Sequence, residues 1–257
     1  MRRTEIRTRK QAKQEEDQHQ VKVLKESPQV KKANDQKAGQ VKITFYTDPL
    51  CCWSWAFEQH WQKLLRAFDG HIQYQYVLCG MIPDWKTYED PMNAVSNPLQ
   101  MGPVWMHASE VTRVKMKYSI WHEDPPASSY PPCIAAKTAG LQSQAAEEQL
   151  LLNMRKALME EGLNISKPEV LLTIAKKMED AGAHFSFSRF KRDWKNGSGL
   201  EPFRNDLRQA RFHNIGRYPT LTIHNLKKAE GVILVGYRPY EILQQVVERA
   251  IEPDLAE

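Results

Sequence analysis

The chain has 257 residues, 41% of them hydrophobic and 26% charged, with four cysteines and a formal net charge of +5. It can bury a sizeable core, as one large domain or as a domain with an insertion, and its composition is that of a soluble globular protein. No apolar run approaches the roughly 18–20 residues of a membrane-spanning helix, so no membrane partner is expected.

The charge is unevenly placed. Residues 1–40 carry 11 Lys/Arg and 6 Asp/Glu, and the other 217 residues carry 25 of each. By composition, the folded body is therefore not a basic nucleic-acid binder. Residues 1–40 are rich in Gln, Lys, Arg and Glu and contain no aromatic residue. Such a segment buries too little apolar surface to offset its ordering entropy, so a basic, disordered tail or a fraying helix is expected. The alternative is a basic arm touching nucleic acid or an acidic partner. Met1-Arg2-Arg3-Thr4-Glu5-Ile6 has no apolar stretch after its charges, so it does not read as a secretory signal. The expected compartment is a reducing cytoplasm, with Cys51, Cys52, Cys79 and Cys133 as thiols.

Val41 to Thr47 is apolar and β-branched, a buried strand. From Cys52 to Phe68, Trp53, Phe57, Trp61, Leu64, Leu65 and Phe68 recur at the helical period and give one core face. Asp69-Gly70 ends that helix, and His71 to Cys79 reads as a second strand. The unit is β-α-β, which implies a parallel pair joined by a right-handed crossover. Residues 83–105 look loop-rich, with Pro91, Pro98 and Pro103. Helical patterns follow at 133–142, 145–160, 168–181 and 200–213. Pro131-Pro132 suits a helix entry, and Ser166-Lys167-Pro168-Glu169 reads as an N-cap with a first-turn proline. Strand signals return at 220–224 and 232–235 around a hairpin loop, and Tyr240 to Ile251 closes the chain as an amphipathic helix. The spacing predicts an α/β, thioredoxin-like fold with a helical domain inserted between the second and third strands. Residues 41–82 and 214–257 would form the first domain and 83–213 the insertion.

The chemistry is expected at Asp48-Pro49-Leu50-Cys51-Cys52-Trp53-Ser54, where a strand runs into a helix. A thiol there sits beside unpaired backbone N–H groups and the positive end of the helix dipole, so Cys51 is expected to be more acidic than an ordinary cysteine. Ser54 lies one turn on and can hydrogen-bond a Cys51 thiolate without forming a disulfide with it. Cys52 points about 100° away from Cys51 and reads mainly as packing. Tyr218-Pro219-Thr220 stands at the start of the third strand, where proline cannot donate to the ladder. A cis bond there would leave backbone groups free for an extended peptide. Cys79 reads as core, and Cys133 as packing with a lesser resolving role. His122, near Asp124, reads as a loop histidine. Met92, Met101, Met106, Trp105 and Trp121 read as core or as the lining of an apolar pocket. No His/Cys cluster has zinc-ligand spacing, so no metal is expected.

These residues resemble the DsbA-like branch of the thioredoxin superfamily, in its cytoplasmic, signal-less, FrnE-like form. Asp48 to Glu58 resembles that branch's D-P-x-C-P-W-C-W-x-x-E signature. Tyr218-Pro219-Thr220 resembles its cis-proline segment, Ser128-Ser129-Tyr130-Pro131 its helical-domain entry, and Gly236-Tyr237-Arg238-Pro239-Tyr240-Glu241 the start of its last helix. The resemblance covers residues 41–251. It implies Cys51 as the catalytic cysteine, with Ser54 and Cys52 beside it, and Trp53, Tyr218, Pro219 and Thr220 as substrate contacts. Two departures matter: Cys52 replaces the usual proline and Ser54 the resolving cysteine, so the dithiol cycle does not carry over. The expected reaction is thiol-disulfide exchange through Cys51, its mixed disulfide resolved by an external thiol. Protein or small-molecule thiols and disulfides would be the partners, with no bound cofactor beyond glutathione as a co-substrate. Relatives of this type include adaptors for the Clp protease, which implies a non-redox binding module as an alternative. The motif is also similar to kappa-class glutathione transferases and chromene-carboxylate isomerases, which implies a glutathione-dependent enzyme as another.

Overall fold

The computed structural model describes residues 21–25, 40–228 and 230–251, and the chain divides into two units. The first comprises residues up to 45, 59–75 and 217 onward; the second comprises 46–58 and 76–216.

The described strands form one five-stranded sheet, most of which falls in the first unit. Its strands are β1 (Val21–Lys25), β2 (Val41–Thr47), β3 (Ile72–Leu78), β4 (Thr220–Asn225) and β5 (Glu230–Val235), in the order β1-β5-β4-β2-β3. Val41 N–H bonds His71 O at one end of β2 (3.2 Å), and Cys79 N–H bonds Thr47 O at the other (2.9 Å). Matching ends are joined, so β2 and β3 run parallel. β4 and β5 form the antiparallel hairpin, with Thr220 opposite Val235 and His224 opposite Gly231. β1 pairs antiparallel with β5, Val21 opposite Leu234. By sequence no packed element is expected in residues 1–40; the physical reason for this strand is that β5 would otherwise present an open row of N–H and C=O groups. Residues 1–20 and 26–39 lie outside the described residues.

Helix α1 (Cys52–Ala67) follows β2. Trp61 is fully buried, with Phe45 edge-on at 5.2 Å and Tyr74 at 5.6 Å. Helix α9 (Tyr240–Ile251) buries Leu243 and Val247, and its Tyr240 ring carries the Lys63 ammonium 3.7 Å above it. That contact is a cation–π pair between the last helix and α1.

The second unit holds helices α2 (Met101–Thr112), α3 (Ile120–Glu123), α4 (Tyr130–Gly140), α5 (Gln144–Met159), α6 (Pro168–Asp180), α7 (Phe187–Lys195) and α8 (Leu200–Phe212). All seven stand between β3 and β4 in chain order, as expected. Helices α2, α3 and α7 are not foreseen in the sequence. Pro98 and Pro103 near the start of α2 read as loop signals, yet Pro98 stands in the 3-10 turn that leads into the helix and Pro103 in its first turn, where a missing N–H costs little. Ser166 does not cap α6; its hydroxyl donates to Ser128 O at 2.8 Å, and Lys167 takes the cap position. The units also divide differently from the expected domains: residues 46–58 fall with the helices. The ties are polar and buried, and they build the site below. Gly80, just after β3, has φ +57°, and a Cβ there would lie 2.7 Å from the Tyr130 ring and 2.9 Å from the Phe203 ring.

α4 and α8 are locked by a buried cluster. Lys137 Nζ meets Glu147 at 2.6 Å, Asp206 at 2.8 Å and Tyr76 O at 3.0 Å, while Asp206 also accepts Leu78 N–H at 2.7 Å. Removing one member of such a cluster leaves the others charged and unpaired. Lys137→Met is expected to cost about 3–5 kcal/mol, read as a lower urea midpoint, because two carboxylates lose their cation. A variant as stable as the parent would show that the cluster contributes nothing net.

Candidate active site

The site is the turn between β2 and α1. Asp48 is fully buried there, and its carboxylate accepts Leu50 N–H at 2.8 Å and Met81 N–H at 2.6 Å. The first bond shapes the turn that delivers Cys51, and the second ties it to the segment after β3. Cys133 on α4 places its sulfur 3.8 Å from the same carboxylate. Ser129, at the cap of α4, holds Ile82 through both its backbone (2.8 Å) and its hydroxyl (3.0 Å). Burial pushes the Asp48 carboxyl up from the usual range, despite the two N–H bonds.

Cys51 stands immediately before α1, and its sulfur accepts the Ser54 N–H at 3.4 Å. Its fractional exposure is only 5%. Burial pushes its thiol up from the ordinary value, and the Asp48 charge adds to that; the Ser54 hydroxyl and N–H and the Arg155 charge act in the opposite direction without prevailing. This corrects the expected acidic thiol: the helix end is present, but the sulfur is desolvated beside a carboxylate. Ser54 Oγ is buried with no hydrogen-bond partner at rest, although it favours the ionised sulfur. A hydroxyl can rotate, so Ser54 is a donor held in reserve for the thiolate.

The other predicted residues fall as follows. Cys52 is buried, and its thiol is pushed well up by burial and by Cys51. Trp53 is half-buried, with its ring edge-on to His107 at 6.0 Å. Cys79 is buried with its sulfur 3.5 Å from Val77 O, and the Cys133 thiol is pushed well up by burial and by Asp48. None of the four cysteines is in a disulfide. His122 is exposed on α3, and the neighbouring Asp124 pairs with Lys167 at 2.7 Å. Trp105 and Trp121 are buried and pack edge-on at 5.2 Å, and Met101 is buried too, so these line a core; Met92 and Met106 are exposed. In the first unit, the Tyr218–Pro219 bond is cis. Pro219 O accepts Gly236 N–H at 2.8 Å, so that carbonyl is taken within the fold, and Thr220 Oγ1 donates to Arg217 O at 2.8 Å. Among the described residues no group of three or more His, Cys, Asp or Glu could hold a metal ion, and no helix is long and apolar enough to cross a membrane.

Arg155 is a site residue that the sequence reading misses. This α5 residue is fully buried, with Nη1 on Glu58 Oε2 at 2.6 Å and Nη2 on Thr47 Oγ1. Thr47 directly precedes Asp48, and Glu58 lies two turns along α1 from Cys51. The available signal is a cation in register with Leu151, Leu158 and Met159 on the buried face of α5. Tyr88 is missed as well; its hydroxyl is pushed up by burial and by the charges of Asp90, Cys51 and Asp48.

A protein-family model described as Thioredoxin matches residues 45–245. The chain belongs to the thioredoxin family. Among curated relatives it is 27% identical over 220 residues to the ClpXP adapter protein SpxH of Halalkalibacterium halodurans, covering 84% of this chain and 70% of that protein. It is 24% identical to the Bacillus subtilis protein of the same name and spans 66% of that protein's length. Among solved structures it is similar to the cytosolic disulfide reductase DsbM from Pseudomonas aeruginosa, with TM-score 0.56 and 15% identity, over 74% of this chain and 88% of that one. The same reductase solved with GSH gives 0.52 and 16%, over 70% and 85%. At such identities the structural likeness speaks for the shared DsbA-type fold.

Because its folded-state thiol is raised, Cys51 is expected to be less ionised at pH 7 than a free cysteine. Its iodoacetamide alkylation, followed by peptide mass spectrometry, should rise through a midpoint above about 8.5. A midpoint below that value would contradict the buried setting.

Proposed function

We propose that the chain catalyses thiol-disulfide exchange through Cys51 alone, with an external thiol completing the cycle. The observation that carries this reading is the Cys51–Ser54 pair: one sulfur before the first turn of α1, already accepting a backbone N–H, with an unpartnered hydroxyl where a dithiol would have its second sulfur. Cys51 rests as a thiol and ionises as it reacts. The thiolate attacks one sulfur of a disulfide R–S–S–R′, forming Cys51–S–S–R and releasing R′–S⁻, which takes the proton Cys51 gave up. An external thiol R″–SH then attacks the R sulfur as its thiolate. R–S–S–R″ leaves, and the Cys51 sulfur regains a proton. The net change is R–S–S–R′ + R″–SH giving R–S–S–R″ + R′–SH, and a second equivalent of thiol reduces the product further. Ser54 stabilises the thiolate on entry and on release. A small thiol of the glutathione type fits as R″–SH, a choice supported by the solved complex of the DsbM reductase with GSH. Four cysteines outside any disulfide suit a reducing compartment.

A second reading is supported by the SpxH relatives. Here the chain would hold a protein partner for a protease without redox turnover, and binding would survive Cys51→Ala.

Oxidised glutathione should add one glutathionyl group at Cys51, visible as a mass increase lost in Cys51→Ala. The same adduct in Cys51→Ala would overturn the assignment. Ser54→Cys restores a C-x-x-C pair and should release the adduct internally, so that the mixed disulfide no longer accumulates. If the adduct persists in Ser54→Cys, the hydroxyl does not occupy the resolving position.

A further inference from the structure

Helices α5 and α6 of the second unit line an open cleft of about 720 Å³. The eight residues that link them return the chain, and Leu163 N–H bonds back to Ala157 O at 2.8 Å. Helices joined by so short a link are antiparallel neighbours, so the end of α5 lies beside the start of α6. Ala157, Ile174 and Met178 line the cleft from the buried side, with Val170 and the 38% exposed Leu163 at the linked end. The other end is open, since a Cβ added at Gly182 would meet nothing within 4 Å. The uncharged polar groups of the walls are spent on the walls themselves. Thr173 Oγ1 donates to Glu169 O at 2.8 Å, and Gln149 Nε2 donates to Asn153 Oδ1 at 2.9 Å. A pocket for a small polar ligand would instead converge such groups on its interior.

The charges on the rim behave differently. Lys176, just outside the cleft, pairs with Glu179 and Asp180 at 2.8 Å each. Glu161, Glu169, Lys156 and Lys177 border the cleft, are exposed, and make no ion pair among the described residues. They are also unevenly placed. Glu161, Glu169 and Lys156 stand at the linked end, two negative charges against one positive, whereas Lys177 stands alone in the last turn of α6.

We propose that this cleft docks an amphipathic helix of a protein partner, laid along α5 and α6 with its N-terminal end at Glu161 and Glu169. From Val170 to Ala181 the wall is about 17 Å long at 1.5 Å per residue, which matches three turns of helix. An apolar stripe at i, i+3, i+4 and i+7 suits a lining of Ala157, Ile174 and Met178, whose alanine leaves room for a larger side chain. Charge sets the direction. The positive end of the incoming helix dipole and a basic first turn meet the two glutamates, and an acidic last turn meets Lys177. A second copy of the chain fits poorly, because a two-fold axis would set cleft against cleft and fill neither. The surface stands apart from the chemistry proposed for Cys51.

The test uses the full chain and two labelled synthetic peptides of about 14 residues, or four turns. Both carry the same leucine stripe and are held helical by an i,i+4 lactam on the outer face. One has lysines in its first turn and glutamates in its last; the other has them exchanged. Fluorescence polarisation should show the first binding about tenfold more tightly, the sum of several weak rim pairs. Glu161→Lys combined with Glu169→Lys should reverse that preference. Thr173→Trp, at an exposed position on the wall, should fill the cleft and weaken both peptides about tenfold or more, with the helical content unchanged by circular dichroism. No binding of either peptide, equal binding of the two, or undiminished binding to a folded Thr173→Trp overturns the proposal. So does a dimer in sedimentation equilibrium that dissociates in Thr173→Trp, which would make the cleft an interface between copies. Binding of anilinonaphthalene sulfonate that is lost in Thr173→Trp, with no peptide bound, would mark a small-molecule pocket and overturn it as well.

Discussion

Three charged side chains, Asp48, Glu58 and Arg155, are buried around a single turn of chain, and the site depends on their mutual accommodation. An isolated charge in such a place would neutralise or unfold its surroundings. Here Arg155 answers Glu58, and Asp48 is answered by two backbone N–H groups at 2.8 and 2.6 Å. Because the Met81 N–H comes from beyond β3 and the guanidinium comes from α5, the turn is shaped by residues far from it in sequence. That explains why residues 46–58 group with the helices. The strand and helix flanking the turn supply its direction; the helical unit supplies its electrostatics.

The thiol follows from that balance. A helix N-terminus favours a thiolate, and the Ser54 N–H at 3.4 Å shows that this influence is present. It acts on a sulfur that is almost fully buried and next to a buried acid. Desolvation wins in the resting state, and the result is a protected thiol.

Much of the architecture is legible in the sequence because periodicity reports burial. The period-3.6 pattern places α1, α4, α5, α6, α8 and α9 within a few residues of their observed bounds, and the β-branched runs place β2 to β5. The failures have particular causes. Pro98 and Pro103 disguise the entry to α2, since proline is a breaker inside a helix and a good first-turn residue. β1 is short and flanked by polar sequence, and its pairing is supplied by the β5 edge. α1 reads as one apolar face, yet Ser54 to Glu58 is buried all round, because Arg155 makes a buried Glu58 tolerable.

The site is legible in position and only partly in behaviour. Cys51, Ser54 and the strand-helix junction follow from local sequence, since a helix end is a local event. The ionisation of Cys51 does not. It is governed first by burial, opposed by Ser54, with smaller effects from the charges of Asp48 and Arg155, and Arg155 is brought to the turn by contacts between residues far apart in the chain. Arg155 itself reads as one more basic residue in a charged helix until its register is compared with Leu151 and Leu158. A cation on the buried face of an amphipathic helix has to be matched by a buried anion, and Glu58 is that anion.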